Sequence, residues 1–70
     1  MNITPGIYRH YKGNDYEVIG VAKHSEDGTE LVVYRPLYGA GDLWVRPLAM
    51  FVEEVEIDGQ ILPRFAYTGA

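Results

Sequence analysis

His10 and His24 are the two imidazoles available for acid–base work or metal binding. A metal site would need both drawn together with carboxylates such as Glu17 or Glu26, in tetrahedral or octahedral geometry. They fall on separate predicted strands, where solvated strand-end histidines are the simpler expectation. No metal and no cofactor are assigned. Ser25 is the sole serine and sits in a polar turn that offers neither a base nor an orienting group. Glu53, Glu54 and Glu56 could serve as acids, bases or cation ligands, but acids on an exposed strand commonly discourage edge-to-edge pairing. The glycines are scattered, with no phosphate-cradling spacing such as GxGxxG or GxxxxGK. A small enzyme or metal-dependent protein built on His10, His24 and nearby carboxylates therefore stands as the alternative function.

The aromatic residues offer more. Tyr34, Tyr38 and Trp44, with Arg46 or Arg35 close by, supply flat surfaces and a planar hydrogen-bond donor. Such sets hold proline-rich peptides, quaternary ammonium groups or stacked bases. In the leading reading Trp44 and Tyr34 form the flat contact, Tyr38 one wall, and Arg46 the orienting group. The partner would be a peptide, a protein or a small ligand, and no residue is assigned to catalysis. A competing reading makes Tyr34 and Trp44 a cross-strand pair covering Gly20, worth roughly 0.2–1 kcal/mol to the fold. Both stay open here. Tyr8, His10 and Tyr11 are candidates to extend the stripe.

Strands must position these residues. Leu31 to Arg35 and Leu43 to Arg46 are rich in Val, Leu, Tyr and Trp, which suit a pleated surface, and Pro36 and Pro47 close them. The glycine-bearing stretch Leu37 to Gly41 joins the two as a hairpin loop. Upstream, Gly6 to Tyr11 and Tyr16 to His24 read as strands separated by the turn-forming Lys12-Gly13-Asn14-Asp15. Ser25 to Thr29 forms the next turn around an Asp-Gly pair. Downstream, Leu48-Ala49-Met50 is allowed one helical turn. Phe51 to Ile57 is a fifth strand, and after the turn at Asp58-Gly59 a sixth runs from Ile61 to Tyr67. Pro63 suits an edge. Strands at about ten-residue spacing predict an all-β meander closing into a small barrel of five to six antiparallel strands.

Pairing follows from the loop. Centring the hairpin on Gly39 sets Val33 opposite Val45 and Tyr34 opposite Trp44. Side chains alternate faces along a strand, so Leu31, Val33, Leu43 and Val45 share one face. Val32, Tyr34, Trp44 and Arg46 share the other. With His24 opposite Glu30, Ile19 and Val21 join the first face, and Gly20 and Ala22 the second. The first face is aliphatic throughout and is the expected core. A slip of one residue would exchange the two.

Composition narrows the function classes. The chain has 70 residues, 47% apolar and 23% charged, and no cysteine, which fits one globular domain over residues 1–70 with a core from about 6 to 69. A domain this small buries only ~60% of its unfolded surface, so homo-oligomerisation stays open. Net charge is −4, with Glu53, Glu54, Glu56 and Asp58 against Arg64 alone in the last twenty residues. Nucleic-acid binding needs cations on phosphates, so it ranks third, and would require Arg9, Lys12, Lys23, Arg35 and Arg46 to gather on one side. No apolar run reaches the ~20 residues of a membrane span. Met1 to Gly6 lacks the features of a signal peptide, and a cytoplasmic location is the default expectation.

Several segments carry a family resemblance: YRHYKG, YEVIGVAKHSE, ELVVYRPLYG, LWVRPLAMF and PRFAY. Together, from about Gly6 to Gly69, they resemble a family of small bacterial proteins catalogued as domain of unknown function 1653. Pro36 stands where the family pattern suggests a small residue such as Ala. The resemblance implies a compact, SH3-like barrel, mostly single-domain. It implies no activity, cofactor or site residue.

Overall fold

Turn chemistry divides the chain much as expected. The computed structural model describes residues 3–69, so the part of the N-terminal leader reading that rests on Met1 and Asn2 lies outside the described residues. Strand β1 (Gly6–His10) meets β2 (Asp15–Lys23) through a turn in which His10 N–H donates to the Asn14 carbonyl at 2.8 Å, with Gly13 at φ 107°. Next come β3 (Glu30–Pro36), β4 (Trp44–Pro47) and a single helical turn, α1 (Leu48–Phe51). Strands β5 (Glu54–Ile57) and β6 (Gln60–Pro63) flank Asp58 and Gly59, both at positive φ. That pair of left-handed residues is what a two-residue hairpin with the native strand twist demands.

The expected sixth strand divides. Pro63 has no N–H to donate, and Arg64 N–H turns instead to the Glu53 carbonyl at 2.9 Å. Ile61 to Tyr67 is thereby split between β6 and β7 (Phe65–Gly69), giving seven strands among the described residues rather than five or six. The fifth strand also starts late, because Phe51 belongs to the helical turn and Val52 caps it. One sheet has the order β4-β3-β2-β1-β7, and β5-β6 form a separate two-stranded ribbon. All pairings are antiparallel. The chain is an all-β, small barrel-like domain. No helix among the described residues is long and apolar enough to cross a membrane.

The core lies on the face opposite to the one expected. Val32 is fully buried and Tyr34 is 5% exposed, whereas Leu43 and Val45 are 64% and 60% exposed. The β3–β4 register is the predicted one, Val33 on Val45 and Tyr34 on Trp44. What differs lies in β2. Lys23, not His24, faces Glu30, and a bulge at Ile19 shifts the register between Val18 and Gly20. Gly20 and Ala22 thereby pair with Val33 and Leu31 and Val21 with Val32, while Val18 and Tyr16 keep to the side of Val32 and Tyr34 and Ile19 is left half exposed. Gly20 faces Val33 on the outer side, where an added Cβ would meet nothing within 4 Å. Trp44 and Tyr34 thus do not cover it.

Large rings decide the outcome. Tyr8, Tyr16, Leu48, Phe51 and Phe65 close over Val18, Val32 and Tyr34. An aromatic side chain buries 150–250 Å², more than the aliphatic alternatives. Residue 65 reaches this layer only because β7 returns to pair with β1, His10 opposite Phe65.

Candidate functional site

The aromatic core surfaces at one end of the sheet, and there the predicted residues separate into buried and exposed members. Tyr34 lies inside. Its ring meets Phe51 at 5.4 Å, Tyr16 at 5.7 Å and Trp44 at 6.0 Å, the last edge-on at 85°. Trp44, at 43% exposed, caps this stack from the edge strand β4. Tyr38, at 47% exposed, stands in the β3–β4 loop with its hydroxyl 3.0 Å from that of Tyr16. The open surface is therefore Trp44 and Tyr38, with Tyr34 as the support beneath Trp44 rather than a contact in its own right.

Tyr16 is the hinge of the cluster and was absent from the predicted set. Its ring centre is within 6.3 Å of those of His10, Tyr34, Tyr38, Trp44 and Phe65. Burial, reinforced by the Tyr38 hydroxyl, pushes its pKa up to about 12, so it stays protonated at any physiological pH. Alternation alone could have found it, since Tyr16 and Val18 share a face. The expected β2–β3 register already sets that face on the side of Tyr34, as the observed one does.

Arg46 shares Trp44's face one alternation further along β4. Its guanidinium carbon is 5.9 Å from the centre of the Phe65 ring, within cation–π range. His10 packs on the same ring at 4.8 Å, edge-on, and on Tyr11 at 4.5 Å. The Lys12 backbone N–H donates to His10 Nδ1 at 3.2 Å, which leaves the proton of the neutral ring on Nε2. Burial lowers the His10 pKa first, and Arg64, Lys12 and Arg46 lower it further. Arg64 comes from the bend between β6 and β7. Its terminal nitrogen is 3.8 Å from Glu53, and its buried Nε has no hydrogen-bond partner among the described residues.

The other predicted constellations come apart. His24 lies beyond the far end of β2, ~26 Å of strand from the His10 end, and its Nδ1 accepts from the Glu26 N–H at 3.0 Å and lies 3.7 Å from Asp27. The two histidines do not converge, and no three or more His, Cys, Asp or Glu side chains among the described residues are placed to hold a metal. The five cations do not gather either. Arg9 and Arg35 pair with Asp15 and Glu17 on the outer face, each at an Nε–O distance below 3 Å, and Lys23 ends β2. Two grooves adjoin the Phe65 region: one of about 450 Å³ includes Ile3, Tyr8, Phe51 and Tyr67, and one of about 290 Å³ includes His10, Tyr11 and Leu62.

No curated protein matches the chain. The crystal structure of a DUF1653 protein from Bordetella bronchiseptica is similar to it, with a TM-score of 0.87 and 39% sequence identity over 96% of this chain and 88% of that one. The family model described as "Protein of unknown function (DUF1653)" matches residues 6–67, nearly the full length, and the chain belongs to that family.

Proposed function

We propose that this chain is a non-catalytic binding module that captures its partner on the exposed margin of the aromatic cluster. Trp44 and Tyr38 make the contact, Tyr34 and Tyr16 hold them in place, and Arg46 orients the partner through its guanidinium. The observation that supports this reading most is the exposure of Trp44, 43%, although its neighbours Tyr16 and Tyr34 are buried. A large ring half in water on a rigid support contributes contact area at small entropic cost. Aromatics and arginine are also the residue types enriched where binding energy concentrates.

The test uses isotope-labelled protein titrated with a proline-rich peptide, tetramethylammonium and phenol. Binding should perturb the Trp44 indole N–H and the Tyr38 resonances before any others. Trp44→Ala should abolish those perturbations while the protein stays folded. Perturbations confined to the outer sheet face, or a Trp44→Ala variant that unfolds outright, would assign the indole to the core and end this reading.

A further inference from the structure

The chain carries net charge −4, yet the cluster next to Trp44 is locally cationic. Arg46 and His10 pack on one ring, Phe65, at 5.9 and 4.8 Å. Lys12, from the β1–β2 turn, has its ammonium 5.8 Å from the Tyr11 ring, on which His10 packs at 4.5 Å. Arg64 is anchored there by its backbone: its carbonyl accepts from Tyr11 N–H at 3.0 Å, and its N–H donates to Glu53 at 2.9 Å. Glu53 is the one carboxylate paired with any of these cations among the described residues, and only at 3.8 Å. Arg46 and Lys12 have no carboxylate partner among the described residues. Buried polar groups are normally satisfied, so Arg64 Nε, buried without an acceptor, marks unused hydrogen-bonding capacity inside the cluster. Three guanidinium or ammonium groups against one carboxylate leave an excess of about two positive charges.

The geometry points to a ligand of one kind: a flat ring carrying a phosphomonoester, the ring on Trp44 and Tyr38 and the phosphate on Arg46, Arg64, Lys12 and His10. This assignment rests on the aromatic-face reading above and names the chemistry of its ligand. Trp44 and Arg46 are two residues apart on one face of a strand, ~7 Å, a span that a ring and its attached phosphate can bridge. The dianion, with a second pKa near 6, matches the local charge excess. Arginine presents a planar fork of donors suited to phosphate oxygens, and lysine adds a point charge. A free nucleoside monophosphate and a phosphorylated tyrosine present the same chemistry.

The experiment titrates the full chain with phenyl phosphate, phenol and inorganic phosphate at low salt. The readouts are the Trp44 indole and His10 ring proton resonances. Expected is at least tenfold tighter binding of phenyl phosphate than of either fragment, with both residues shifting and the His10 pKa rising when it is bound. Arg46→Gln should cut phenyl phosphate affinity about tenfold. Lys12→Gln, an exposed turn position, keeps the test valid should the first variant fold poorly. Equal binding of phenol and phenyl phosphate, with His10 silent, overturns the anion assignment and leaves the aromatic-face reading intact. Phosphate binding that moves His10 but not Trp44, with no gain from the ring, also overturns it. So does the absence of binding by any of the three at ~10 mM; the aromatic face is then judged on its own peptide and ammonium titration. Once phenyl phosphate binds, adenosine 5′-monophosphate against O-phosphotyrosine separates the two sources of the ligand.

Discussion

The two faces of the five-stranded sheet obey the same alternation and have opposite fates. The inner face carries Tyr8, Tyr16, Val18, Val32 and Tyr34 and is sealed by α1 and Phe65. The outer face carries Val33 and Val45, with Ile19 and Leu43 beside them, and leaves Ile19, Leu43 and Val45 half or more exposed. Ion pairs Arg9–Asp15 and Arg35–Glu17 lie on that same outer face. Hydrophobicity per residue does not separate the faces; ring size and what returns to cover them do. Aliphatic strand residues can stay in water at modest cost. A layer of interlocking rings gains from its own packing as well as from dehydration.

This contrast can be broken most strongly at Phe51, which is 1% exposed and stacked on Phe65 at 4.1 Å with the rings parallel within 3°. Phe51→Ala should cost about 3–5 kcal/mol through lost burial and the cavity left behind. In a domain of this size each kcal/mol lowers the melting temperature by roughly 4–8 °C. The variant is therefore expected to be largely unfolded at 37 °C by circular dichroism. A loss below about 1 kcal/mol in a urea titration would mean that the inner face is not the core.

Trp44→Ala should fall between the faces, because that ring is half in the cluster. Its edge-on contact with Tyr34 suggests a loss of about 1 kcal/mol. Acrylamide quenching of the sole tryptophan checks the same point from another side, with ready quenching expected.

A smaller, pH-dependent effect belongs to His10. Its folded pKa is lowered, by burial first and then by Arg64, Lys12 and Arg46. The unfolded chain therefore binds the proton more readily, and stability rises with pH across the window between the folded value and about 6.5. The contribution is present in full above the unfolded pKa and is lost as pH falls through the folded one. Thermal melts of the wild type between pH 5 and 8 should show this slope, and His10→Gln should flatten it. An unchanged slope would remove His10 from the cluster's electrostatics.

The least effect is expected on the outer face. Val45→Thr keeps a β-branched side chain on a strand and removes one exposed methyl, so the change should stay within about 0.5 kcal/mol. A larger loss, or a change in oligomeric state by light scattering, would show that this face is covered in solution.

Local chemistry was legible residue by residue. Asp58-Gly59, the Ser25–Thr29 turn, the helical turn after Pro47 and the pairing of Tyr34 with Trp44 all follow from neighbours in the chain, because turn dihedrals and hairpin register are short-range properties. Trp44, Tyr38, Tyr34 and Arg46 are likewise visible as residue types, and the structure gathers them at one end of the sheet. Their division into support and surface was not visible. Period-two alternation defines two faces and is silent about which one is covered. That choice was made by Leu48 and Phe51 of α1, which close over the inner face, and by the return of Phe65 beside His10, fifty-five residues along the chain. The same return set Arg64 beside the first strand, where it acts on His10 together with Arg46 and Lys12. Charge clusters and sealed faces are built from long-range contacts, and only the tertiary structure could decide them.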